Sequence, residues 1–99
     1  MELYQIKYFL AVARERNFTK AAQACQVSQP SLTRGIAKLE SELGGLVFER
    51  KLRGSELTEL GRLILPRLKR AYAAVTEALD HAHKNEARGA PLFRSRPRL

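Results

Sequence analysis

The five residues Gln26-Val27-Ser28-Gln29-Pro30 constrain this chain more than any others, because they end one helical pattern and start another within a single turn. Ser28 is a good N-cap, and Pro30 is tolerated only in a first helical turn, where its missing N–H would be unpaired anyway. A helix therefore begins near Ser28. Its buried stripe is Leu32, Ile36, Leu39 and Leu43, and Gly44-Gly45 supplies the stop. Ahead of the break, Thr19 to Cys25 is Ala-rich and helical, capped by either Asn17 or Thr19. Asn17 to Gly44 thus predicts a short helix, a tight turn and a longer helix. The outer face of the longer one carries Gln29, Ser31, Thr33, Arg34 and Lys38, which is polar without being acidic.

The flanking segments fit around this unit. Leu3, Ile6, Phe9, Leu10 and Ala13 fall on one face of a first helix over Glu2 to Arg16. Gly35 is unusual inside the third helix, since glycine costs ~1 kcal/mol against alanine there. It marks either a close approach of backbone to DNA or another helix, or neutral drift, and drift is the slightly preferred reading. Leu46 to Leu57, with Gly54 near its middle, predicts a two-stranded hairpin with a basic tip at Arg53, the alternative being a loop that closes the domain. Thr58 then caps a long fourth helix striped by Leu60, Ile64, Leu68, Tyr72, Val75, Leu79 and Ala82. Residues 59–86 would make a rod of ~42 Å, longer than three short helices can cover, so a second copy of the same helix is the simplest cover. Pro66 lies well past the first turn and predicts a bend rather than a break, because the stripe stays in phase across it. The organisation expected is a domain over 1–58, a linker and dimerisation helix over 59–86, and a basic, disordered tail over 87–99.

Charge favours a polyanionic partner. The 99 residues hold 18 Lys+Arg against 10 Asp+Glu, a net charge of +8, and release of counterions from phosphates rewards such a surface. Half of the excess sits in the tail, where Arg88, Arg94, Arg96 and Arg98 stand with no acid. No apolar run approaches the ~18 residues of a membrane span, and the start MELYQIKYF lacks a signal peptide's layout. A cytoplasmic protein without a membrane partner is expected. The single cysteine, Cys25, reads as a buried structural thiol.

Catalytic chemistry is not expected. Glu77 and His81 are one turn apart on the long helix, but two ligands do not make a metal site. Gly44-Gly45 follows a helix and lacks the Lys-Ser continuation of a phosphate loop. Neither an enzyme activity nor a cofactor or metal is expected.

In a helix-turn-helix the second helix enters the major groove with its N-terminal half against base edges. That half offers Gln29, Pro30, Ser31, Thr33 and Arg34. Arg pairs with guanine, Gln with adenine, and the Thr methyl or Pro ring touches a thymine methyl. Ser28 and Thr19 suit phosphates, as does Lys38 one turn beyond Arg34, and Arg53 is placed for a flanking minor groove or a phosphate.

These residues also carry a family resemblance. FLAVARERNFTKAAQACQVSQPSLTRGIAKLESELG and LVFERKLRGSELTELGRLILP resemble the winged helix-turn-helix domain and linker helix of LysR-type transcriptional regulators. The resemblance covers residues 1 to about 86 through AA-x(4)-VSQPSL, I-x-x-LE-x-ELG, F-x-R and LT-x-x-G in that order. It implies a mainly α, winged helix-turn-helix fold with a two-stranded wing, and dimeric binding to an interrupted palindromic operator in double-stranded DNA. The long helices would pack antiparallel across two subunits. Positions matching Gln29, Pro30, Thr33, Arg34 and Arg53 would face bases or grooves, and those matching Asn17, Thr19, Ser28, Ser31 and Lys38 the DNA backbone.

Two departures stand out. Gly35 occupies a position where the family usually has a longer side chain. The family also continues into a two-lobed effector-binding domain about where this chain becomes GAPLFRSRPRL, so no small-molecule inducer is expected to bind these residues. An excised fragment and a naturally short product are both compatible with that. Two other functions compete with specific DNA binding: an interaction module forming inactive heterodimers through the long helix, and a nonspecific nucleic-acid binder acting through charge.

Overall fold

Phe9, Val12, Leu32, Leu39 and Val47 are fully buried, and the helices close around them. The computed structural model describes residues 1–87, with the side chains of 86 and 87 excepted. Its elements in chain order are α1 (Leu3–Glu15), α2 (Phe18–Cys25), α3 (Gln29–Leu43), β1 (Phe48–Lys51), β2 (Gly54–Leu57) and α4 (Glu59–Ala87).

Each helix starts and stops for a local reason. The Gln5 side chain accepts the Glu2 N–H at 2.8 Å, satisfying a donor that has no partner within α1. Asn17, rather than Thr19, caps α2 by accepting the Lys20 N–H at 2.8 Å. Ser28 caps α3 by accepting the Ser31 N–H at 3.2 Å, with Pro30 in the first turn. Gly44, at φ 82°, ends α3 with its N–H on the Glu40 carbonyl at 2.9 Å. The stops of α1 and α2 are less readable, because Arg16 (φ 57°) and Gln26 (φ 59°) take the left-handed conformation without being glycine. Thr58 caps α4 by accepting the Gly61 N–H at 3.0 Å while donating its hydroxyl proton to the Leu46 carbonyl at 2.6 Å.

The first helix buries a broader arc than one stripe. Ile6 and Phe9 are buried as the spacing requires, but so are Gln5, Ala11 and Val12, whereas Leu3, Leu10 and Ala13 are half-buried. The reason is that α1 packs against α2, α3, α4 and β2 together. Cys25 is buried, as expected of a structural thiol.

The hairpin forms: β1 and β2 pair antiparallel from Phe48↔Leu57 to Lys51↔Gly54, leaving Leu52-Arg53 as the turn. Gly54, at φ 93°, lies so close to the Arg16 carbonyl oxygen that a Cβ would collide with it. Ser55 then donates its N–H to that same oxygen at 3.1 Å, docking the wing on the end of α1. Phe48 carries the wing's apolar anchor, with its ring 5.3 Å from that of Phe9 and 5.8 Å from that of Phe18.

The fourth helix continues unbroken through Pro66. Leu68 is buried, and Leu60, Ile64, Leu65 and Tyr72 are half-buried against the core. Past Tyr72 the stripe loses its cover, so that Val75 is 42% and Leu79 49% exposed. The long dimension of 53 Å against 26 and 22 Å reflects this projecting helix. Beyond Ala87, the basic tail expected from Arg88, Arg94, Arg96 and Arg98 lies outside the described residues.

Candidate nucleic-acid interface

Helix α3 turns its apolar side, Leu32, Ile36 and Leu39, into the core, which leaves Gln29, Pro30, Arg34 and Lys38 exposed and Ser31 and Thr33 half-exposed. Gln29, Pro30, Thr33 and Arg34 line one shallow depression of about 430 Å³ without an acidic neighbour. The first turn of the helix is internally ordered. The Ser28 hydroxyl lies 3.0 Å from that of Ser31, and Arg34 Nη2 donates to the Ser31 hydroxyl at 3.4 Å. The Thr19 hydroxyl donates to Gln29 Oε1 at 3.0 Å, tying the start of α2 to the start of α3. With Oε1 so engaged, the Gln29 amide N–H2 remains available as a donor. Asn17 is half-buried and its Oδ1 is taken by the cap. Arg53 stands exposed in the turn of the wing.

Three residues that matter to this surface were not singled out from the sequence. The Arg50 guanidinium lies over the Phe18 ring, 4.0 Å from its centroid, bracing β1 against α2; such a contact is worth ~0.5–1 kcal/mol at an exposed site. Glu40 Oε2 accepts the Val47 N–H at 2.9 Å, linking α3 to the chain entering the wing. Tyr8 packs on Gly35, where a Cβ would come within 2.6 Å of the ring. Gly35 is buried, which supports the reading of a close approach to another helix over neutral drift. The F-x-R and LE motifs contained Arg50 and Glu40, but a motif does not say what its residues touch.

Among the described residues no three or more His, Cys, Asp or Glu side chains group as a metal site would need, and no helix is long and apolar enough to cross a membrane.

A family model described as bacterial regulatory helix-turn-helix protein, lysR family, matches residues 3–62. The chain belongs to the LysR family. Among curated LysR-family relatives, the transcriptional regulator BudR of Klebsiella aerogenes is 46% identical over 89 residues, covering 90% of this chain and 62% of that protein. TfdT of Cupriavidus pinatubonensis is 38% identical over 107 residues, covering 98% of this chain and 47% of that protein. The chain therefore spans between about half and two thirds of the length of these relatives, which are transcriptional regulators. The fold is that of LysR DNA-binding domains. A DNA complex of the CbnR DNA-binding domain superposes with a TM-score of 0.78 at 38% identity, over 87% of this chain and 99% of that one. The BenM DNA-binding domain with catB site 1 DNA gives 0.79 at 34% identity, over 87% and 96%.

Proposed function

We propose that this LysR-family chain binds double-stranded DNA sequence-specifically as a homodimer and forms the DNA-binding part of a cytoplasmic bacterial transcription regulator, with no catalytic role. The observation that carries this reading is the acid-free depression lined by Gln29, Pro30, Thr33 and Arg34 on the exposed half of a capped helix. Such a helix fits the major groove, and its donors and apolar edges match base edges there.

Arg34 and the Gln29 amide contact bases, with the Pro30 ring and Thr33 methyl against thymine methyls. Asn17, Thr19, Ser28, Ser31 and Lys38 face phosphates, and Arg53 enters the flanking minor groove. CbnR and BenM DNA-binding domains have been seen on DNA, which supports carrying the mode of binding over to this chain. Residues 1–58 act as the reading head and residues 59–86 as the pairing helix. Of the stripe Leu60, Ile64, Leu68, Tyr72, Val75 and Leu79 expected to pair, the first four pack on the core of their own subunit, and pairing through Val75 and Leu79 is supported by the end of α4 that its own subunit leaves bare. A two-fold dimer requires an operator of two inverted half-sites.

Selection of binding sites from random duplex DNA tests this reading. The expected pool contains two inverted half-sites at one fixed separation. A pool without enrichment, with affinity falling steeply with salt on every sequence alike, would leave only charge-driven binding.

A further inference from the structure

On the flank of α3 that faces α1, Tyr4, Tyr8, Ser31, Arg34, Gly35 and Lys38 enclose a second depression of about 260 Å³. Gly35 lets the Tyr8 ring lie directly against α3 at its edge. A Cβ there would lie 2.6 Å from Tyr8 Cδ2 and 2.9 Å from Cε2, so the Tyr8 ring fills the space a longer residue would take. Tyr4 stands edge-on to Tyr8 with ring centroids 5.4 Å apart and is 41% exposed. The hydrogen bonds of this flank run between Ser28, Ser31 and Arg34, and leave both phenol hydroxyls without a protein partner among the described residues. Of the acids further along α3, Glu40 is turned to the Val47 N–H and Glu42 is paired with the N-terminal ammonium at 3.0 Å. Two tyrosines whose hydroxyls have no partner among the described residues, a lysine and an arginine therefore surround a concavity that no carboxylate lines.

We propose that this depression seats one backbone phosphate of the bound duplex, with the Tyr4 and Tyr8 hydroxyls donating to its oxygens and Lys38 supplying charge. The inference rests on the DNA-binding reading above and adds α1 to the interface. Phosphate contacts fix how a protein lies on the duplex rather than which sequence it prefers. The seat thus sets the depth and tilt of α3 in the groove, a task that a side chain at position 35 cannot perform in this chain. The glycine and the tyrosine pair form one device, in which the smaller residue on α3 admits donors from α1.

Tyr4→Phe and Tyr8→Phe remove the hydroxyls and keep the rings. The test measures both variants against the selected duplex, a scrambled duplex, and a set of selected duplexes each carrying one neutral methylphosphonate. Each variant is expected to bind about three- to tenfold more weakly on both natural duplexes, as for loss of a hydrogen bond to a solvated anion, with thermal melting unchanged. At one phosphate, methylphosphonate substitution should weaken the wild type and leave the double variant nearly unaffected. Variants that bind within about twofold of the wild type, or losses that add at every phosphate, would overturn the seat alone. A wild type that shows no preference between the selected and scrambled duplexes overturns the specific-binding reading and the seat with it.

Discussion

Glu40 Oε2 accepts the Val47 N–H at 2.9 Å, so a side chain of α3 holds the backbone that leads into the wing. Val47 is fully buried, and its carbonyl in turn accepts the Thr58 N–H at 3.0 Å. Val47 is thus one link that joins α3, the wing and the start of α4. Glu40→Ala should cost ~1–3 kcal/mol, the penalty for leaving a buried donor without a partner. Glu40→Gln, which keeps an acceptor oxygen, should cost less. Urea unfolding of the three proteins checks this, and equal midpoints for alanine and wild type would show that water replaces the carboxylate.

Gly35→Ala sets two effects against each other. Alanine gains ~1 kcal/mol of helix propensity, but its Cβ would press into the Tyr8 ring, and overpacking of this kind costs ~1–3 kcal/mol. A lower melting temperature is expected. A melting temperature at or above that of the wild type would mean that Tyr8 swings clear without loss.

Arg34 and Lys38 should separate specificity from affinity. Arg34→Ala is expected to cost ~1–3 kcal/mol on the selected duplex and to relax the preference at one base step. Lys38→Ala should weaken selected and scrambled duplexes alike and reduce the salt slope by about one. Titrations at two salt concentrations distinguish the two patterns. Equal loss on both duplexes for Arg34→Ala would remove it from the base-reading set.

The two ends of the α4 stripe should respond differently to charge. Leu68 is buried in its own subunit, whereas Val75 and Leu79 are half bare. Leu68→Asp is expected to unfold the domain, because an unpaired carboxylate in the core costs several kcal/mol. Val75→Asp together with Leu79→Asp should leave the fold intact and give a monomer by sedimentation. A wild type that is already monomeric at tens of micromolar, by order of magnitude, would remove the pairing role of α4.

Much of the fold was legible in the chain because its signals act over three or four residues. Ser28 with Pro30, Gly44, and Thr58 each mark a boundary through a bond to a neighbouring backbone group, and those bonds form whatever lies across the core. The polar face of α3 followed from helical spacing alone. Asn17 and Thr19 could not be separated, since either hydroxyl or amide oxygen can cap. The structure gives the cap to Asn17 and frees Thr19 to meet Gln29.

The sequence by itself determined the order of the elements, the caps that bound α3 and α4, the polar outer face of α3 and the family motifs, because local bonding and periodicity need no partner. Tertiary structure alone decided that Gly35 is filled by Tyr8, that Arg50 braces the wing on Phe18, and that the α4 stripe is covered as far as Tyr72 and open from Val75. Each of these depends on how closely two helices cross or on where a neighbouring element ends, and residues far apart in the chain carry no spacing from which such distances could be read.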